Sequence, residues 1–132
     1  MPSAVQTEPA FAPLLASYSK GVQDTARAAR QLILVLIPGA IEVVDAETAV
    51  IGYGYGTGYK DLVCTLILSK GGVKLGLVGG ASLPDPRKLL EGSGKVHRYI
   101  PLRRPADLRR PGLRPLLHAT LSAWRRKSMA GR

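Results

Sequence analysis

The pattern of apolar and polar positions along the chain is organised around the stretch from Asp61 to Val78. Leu62 to Ser69 is a near-unbroken apolar run with β-branched members, Lys70-Gly71-Gly72 interrupts it, and Val73 to Val78 resumes with alternation. Two such runs joined by a short glycine-containing link predict an antiparallel pair. The first run is apolar on both faces, which predicts a central strand covered on at least one side. Upstream, Leu15, Tyr18, Val22, Ala26, Ala29, Leu32, Ile33 and Leu36 recur at three- and four-residue spacing. That period predicts an amphipathic helix from about Pro9, with Gly21 as the point where it divides and Pro38-Gly39 as its end. Ile41 to Asp45 is short and β-branched, hence a strand. From Ala49 to Tyr59, Gly52, Gly54, Gly56 and Gly58 alternate with Tyr53, Tyr55, Thr57 and Tyr59. Period two puts the glycines on one face and the larger residues on the other.

Beyond the hairpin the punctuation changes. Asp85 suits an N-cap, Pro86 the first helical position and Gly92 the position after a helix. Residues 85–92 are therefore expected to form a short helix or helical turn anchored by Leu89 and Leu90. Val96 to Leu102 reads as a strand, and Pro101 makes it an edge strand or a strand end. A basic connector with two prolines follows at 103–112. Leu113, Leu116, Leu117, Thr120, Leu121 and Trp124 then predict a last helix to about Lys127. Strands run between flanking helices predict an α+β fold, a two-layer sandwich with terminal helices on one face of a mostly antiparallel sheet. The organisation expected is a flexible arm at 1–8, a single domain at 9–127 and a tail at 128–132.

Charge alters this picture more than composition does. Residues 1–86 carry a net −1 and residues 87–132 a net +11. A field of that sign attracts an anionic partner, an acidic protein or non-specifically a nucleic acid. Lys95, Arg98, Arg103 and Arg104 are the candidate anion-binding residues. Aromatics make up only 5% of the chain, so its core must be aliphatic. The one cysteine, Cys64, excludes an internal disulfide and a cysteine-cluster zinc site. No secretory leader is legible at residues 1–10, and the apolar run Leu32–Ile37 is far shorter than the roughly 20 residues of a membrane span. The expectation is a cytoplasmic protein that does not enter a membrane.

Catalytic and cofactor motifs are weak. The glycine row lacks the G-x-G-x-x-G spacing, and Gly92-Ser93-Gly94-Lys95 lacks both the earlier glycine and the following Ser or Thr of a phosphate loop. His97 and His118 have no partner in sequence from which a nucleophile–base pair could be built. The first reading is thus a non-enzymatic binding domain with no cofactor. Tyr53, Tyr55 and Tyr99 are candidate pocket residues, since a row of tyrosines can stack on a ring. The alternative reading takes Glu42, Asp45 and Glu47, three acids within six residues, as oxygen ligands for iron.

Leu83-Pro84-Asp85-Pro86, then Leu89-Leu90-Glu91-Gly92-Ser93-Gly94-Lys95, then Arg98, Ile100, Leu102 and Arg103 resemble the YdhG-like family of bacterial domains of unknown function. Pro38 at the end of the first helix and Glu42 shortly after fit the same pattern. The resemblance spans about Val22 to Ala123. It implies a frataxin-like fold, and some members are described as iron chaperones serving iron–sulfur cluster assembly. Frataxins carry an acidic ridge on the first helix and first strand, whereas here the helix has Asp24 among Lys20, Arg27 and Arg30, and Glu42, Asp45 and Glu47 form the remaining acidic group. Iron donation therefore stays the alternative to anion binding.

Overall fold

Small residues decide how closely the main helix approaches the sheet. The computed structural model describes residues 10–130. A short helix, α1, covers residues 10–15. The chain turns at 16–19, and α2 runs Lys20–Leu36. The predicted division thus exists, but at Ser17–Ser19 and not at Gly21. The cause is a cap: the Ser19 hydroxyl accepts the Val22 N–H at 3.3 Å, which satisfies a donor that would otherwise be orphaned. Gly21 then falls inside the first turn, where a missing side chain matters little. Val22, Ala26, Ala29 and Ile33 form the buried stripe, and its two alanines let the backbone sit close to the strands. Gly39, at φ 75°, takes the left-handed turn that leads out of the helix.

Five strands follow among the described residues: β1 (Ile41–Asp45), β2 (Val50–Gly54), β3 (Leu62–Ser69), β4 (Gly72–Leu77) and β5 (Arg98–Leu102). They pair antiparallel in the order β1-β2-β3-β4-β5, an open meander. β3 occupies the centre, as its doubly apolar run predicts. Its partners set the inward face: Cys64 opposes Tyr53 and Leu77, and Leu66 opposes Ile51 and Leu75. All six are at most 1% exposed. Leu75 continues the row to Ile100 on β5. The last helix, α3 (Leu113–Ala130), packs with α2 against β3 and seals this face with Leu113, Leu117 and Leu121. The Thr120 hydroxyl donates to the Val78 carbonyl at 2.9 Å and ties α3 to the end of β4. The fold is α+β. No helix among the described residues is long and apolar enough to cross a membrane.

Within the glycine row, Gly54 has no room for a side chain. The β2–β3 register shifts at Tyr53/Gly54, and a Cβ on Gly54 would lie 1.9 Å from the Asp61 carbonyl oxygen. The chain bulges there, and Tyr55 N–H donates to that same carbonyl at 2.9 Å.

One expectation is narrowed and two need correction. Residues 85–92 form the single turn, and not the short helix, of the two forms expected there. The Asp85 carboxylate accepts the N–H groups of Leu89 and Leu90, both at 2.9 Å, and Lys88 turns to φ 54°. Asp85 caps a turn whose donors it satisfies itself, and Leu89 is buried at that point, so no second turn is needed. Glu91 instead exchanges two backbone bonds with Tyr99 and shields part of the outer edge of β5. β5 starts at Arg98, two residues later than predicted, because Val96 lies out in solvent. At the far end α3 continues to Ala130, into the stretch expected to be a tail. The arm expected at 1–8 lies outside the described residues.

Candidate functional site

The face of the sheet turned away from α2 and α3 carries the short and half-buried residues of the same strands. Alternation places Gly52, Thr65, Gly76 and Tyr99 in one cross-strand row, since Thr65 opposes both glycines and Gly76 opposes Tyr99. Leu62 covers Gly52, whereas Gly76 beside Thr65 leaves a hollow in the row. Leu62 and Ile67 bound the hollow along β3, and Tyr59 and Tyr99 rise beside it. The result is a cavity of about 240 Å³ built from strands and their connections, with no residue of α2 or α3 in its lining. Gly76 is essential to its depth: a Cβ there would lie 2.4 Å from the Thr65 hydroxyl.

Two contacts fix the rim. His97 Nδ1 accepts the Gly79 N–H at 3.1 Å, so Nε2 is left to carry the ring proton of the neutral imidazole. Nε2 in turn is hydrogen-bonded to the Tyr59 hydroxyl, and the two rings meet edge to face with centroids 5.9 Å apart. This pair joins residues 38 positions apart and closes one side of the cavity. On the other side the Lys74 ammonium stands 4.6 Å from the centre of the Tyr99 ring, a cation–π contact that steadies the aromatic wall. Among the described residues, no carboxylate lines the cavity. Its floor is apolar, its walls aromatic and its nearest fixed charge positive.

The residues expected to form sites are distributed differently. Tyr53 lies on the covered face, fully buried, and donates to Glu42 at 2.7 Å. Burial, reinforced by the adjacent Glu42 carboxylate, pushes its phenol well above the ordinary tyrosine range. Tyr55 donates to the Pro38 carbonyl at 2.9 Å and packs against Trp124, their ring centroids 5.0 Å apart. Only Tyr99 of the three borders the cavity, so Tyr53, Tyr55 and Tyr99 do not make one pocket.

The three acids are not brought together either. Glu42 is 2% exposed and takes a bidentate bond from Arg30, at 2.6 Å from Nε and 3.2 Å from Nη2. Arg30 also lies 4.9 Å over the Phe11 ring. Asp45 points the other way along β1 and accepts the Glu47 N–H at 3.1 Å in a tight turn. Among the described residues, no group of three acidic, histidine or cysteine side chains is placed to hold a metal ion. Glu42 belongs to an internal ion pair because it lies on the side of β1 that faces the helix, a direction that acid spacing alone does not reveal.

The four candidate anion-binding residues split into two groups. Arg98 borders the cavity, but its Nε donates to the Gly94 carbonyl at 2.7 Å and so holds the loop that presents Lys95. Arg103 and Arg104 sit at the opposite end of β5, roughly 16 Å away for five extended residues. There Asp107 accepts the Arg103 N–H at 2.8 Å and lies 3.8 Å from the Arg104 side chain. Sequence reasoning missed Lys74 and Tyr59. Lys74 was legible as the charged position alternating with Val73 and Leu75, on the same face as Gly76. Nothing local marked Tyr59 as the partner of His97.

Among known proteins, no family model, curated protein or solved structure matches the chain.

Proposed function

We propose that this protein is a non-enzymatic binding domain whose uncovered sheet face holds an anionic ligand with a flat apolar part. The observation that carries the reading is the cavity itself: an apolar floor between two aromatic walls, Lys74 beside one wall and no carboxylate among the described residues of the lining. A ring seated between Tyr59 and Tyr99 gains stacking area, while its acidic group meets Lys74. The strongly basic residues 87–132 add a long-range field that raises the local concentration of anions. The non-catalytic part of the reading rests on how the reactive side chains are used. Cys64 is fully buried, and burial pushes its thiol far up, away from the nucleophilic thiolate. Both ring nitrogens of His97 are already engaged. We further propose a frataxin-like, YdhG-like assignment of the fold. Its support is the order of helix, five-strand meander and helix, together with the Leu-Pro-Asp-Pro and Leu-Leu-Glu-Gly-Ser-Gly-Lys stretches.

Titration with 1-anilinonaphthalene-8-sulfonate, a fluorescent flat aromatic anion, tests the binding reading on the folded protein. Saturable binding is expected, weakened about tenfold by Tyr99→Ala and by Lys74→Glu, equivalent to about 1.4 kcal/mol. Ile67→Trp, which fills the hollow from β3, should abolish it. Binding that survives Ile67→Trp unchanged, or no saturable binding by the unmodified protein, overturns the proposal.

A further inference from the structure

A second concave surface lies on the other side of the molecule, and it is independent of the cavity. Leu32 and Val35 stand one turn apart on the outer side of α2. Opposite them the 3₁₀ turn at Pro105–Arg109 presents Pro105, while Leu108 of the same turn is buried in the core. The trough between has a volume of about 560 Å³. Val35 is 72% exposed, among the most exposed large apolar side chains described. Arg109 and Arg114 stand at its border, both exposed, and among the described residues neither has a carboxylate partner. No acidic side chain among the described residues lines the trough.

We propose that this trough docks an acidic amphipathic helix of a partner protein. Charge complementarity selects the sign: an apolar stripe flanked by Glu or Asp would place its stripe on Leu32, Val35 and Pro105 and its carboxylates against Arg109 and Arg114. Shape and chemistry select the class. A flat anionic bilayer cannot fill a trough, and a nucleic acid would meet an apolar floor with no aromatic side chain on which to stack a base. The contact along α2 from Ala28 to Val35 is about 10 Å long, matching two turns of a bound helix.

The test uses a labelled synthetic peptide of about four helical turns with leucine at i, i+3, i+4 and i+7 and glutamate elsewhere. Its controls are a scrambled peptide of identical composition, oligouridylate and phosphatidylserine vesicles. Saturable binding is expected, with amide shifts at Leu32, Val35 and Leu108. The scrambled peptide should bind at least about tenfold more weakly, and Val35→Asp, an exposed position that leaves the fold intact, should weaken the designed peptide about tenfold. The double variant Arg109→Glu/Arg114→Glu should do the same. Equal binding of the scrambled peptide, an unaffected Val35→Asp protein, or tighter binding of oligouridylate or vesicles at these residues would overturn the proposal.

Discussion

The two faces of the sheet come from the same strands and obey opposite rules. On the covered face, Ile51, Tyr53, Cys64, Leu66, Leu75 and Ile100 are sealed, and the polar groups there are paired. Glu42 takes bonds from Arg30 and Tyr53, and no buried side-chain nitrogen or oxygen among the described residues lacks a partner. On the uncovered face the neighbouring residues, Thr65, Ile67, Gly76 and Tyr99, are half-buried and leave a hollow. One face is filled and satisfied, while the other keeps room and open contact area. A single residue's step along a strand moves a side chain from the stabilising layer to the candidate binding layer.

The largest expected effect breaks the polar centre of the covered face. Glu42→Ala takes the carboxylate away from Arg30 and strands the buried Tyr53 hydroxyl. Removing one member of a buried pair costs about 3–5 kcal/mol, and the partial exposure of Arg30 puts the figure near the lower end. Equilibrium urea unfolding measures it; a loss below about 1 kcal/mol would show that the network is not an energetic unit.

Adjacent residues on β3 sharpen the contrast. Leu66→Ala opens a cavity beneath the helices and should cost about 3 kcal/mol. Ile67→Ala, half-buried on the other face, should cost about 1 kcal/mol. Equal losses would mean that the uncovered face is packed as tightly as the covered one.

Smaller is the response to alkali. Burial raises the Cys64 and Tyr53 pKa values above those of the unfolded chain. The unfolded thiol ionises above about pH 8.5 and the unfolded phenol above about pH 10. Their contribution is therefore whole below about pH 8.5 and is lost as pH rises. The slope reaches about 1.4 kcal/mol per pH unit for each group once its unfolded form is ionised. Unfolding midpoints measured against pH should show this decline, and Tyr53→Phe should flatten it above about pH 10.

The smallest effect belongs to the rim. Tyr59→Phe removes an exposed contact and should change stability by less than about 0.5 kcal/mol. The imidazole NMR signals of His97 should nevertheless move. Unmoved signals would mean that the two rings do not meet in solution.

Strand periodicity in residues 41–78, the β3–β4 hairpin and the stripe of α2 were all legible in sequence because they are local. A period of two or 3.6 states which residues share a face. The charge imbalance toward residues 87–132 was legible in the same way, and a period of two by itself puts Lys74 and Gly76 on one side of β4. At Asp85 the capping chemistry is real, and it closes a single turn without a helix. Local signals misled at Glu42, where acid spacing suggested a metal ligand and the strand's inward side supplied Arg30.

The chain alone determined its elements, their amphipathic sides and an excess of positive charge near one end, since each depends on neighbours a few positions away. Only the tertiary structure decided which sheet face received the helices, that Tyr59 meets His97, and that α2 and residues 105–109 enclose a trough. Those outcomes depend on packing between segments far apart in sequence, and the free energy of burying one face rather than the other is not written in any single segment.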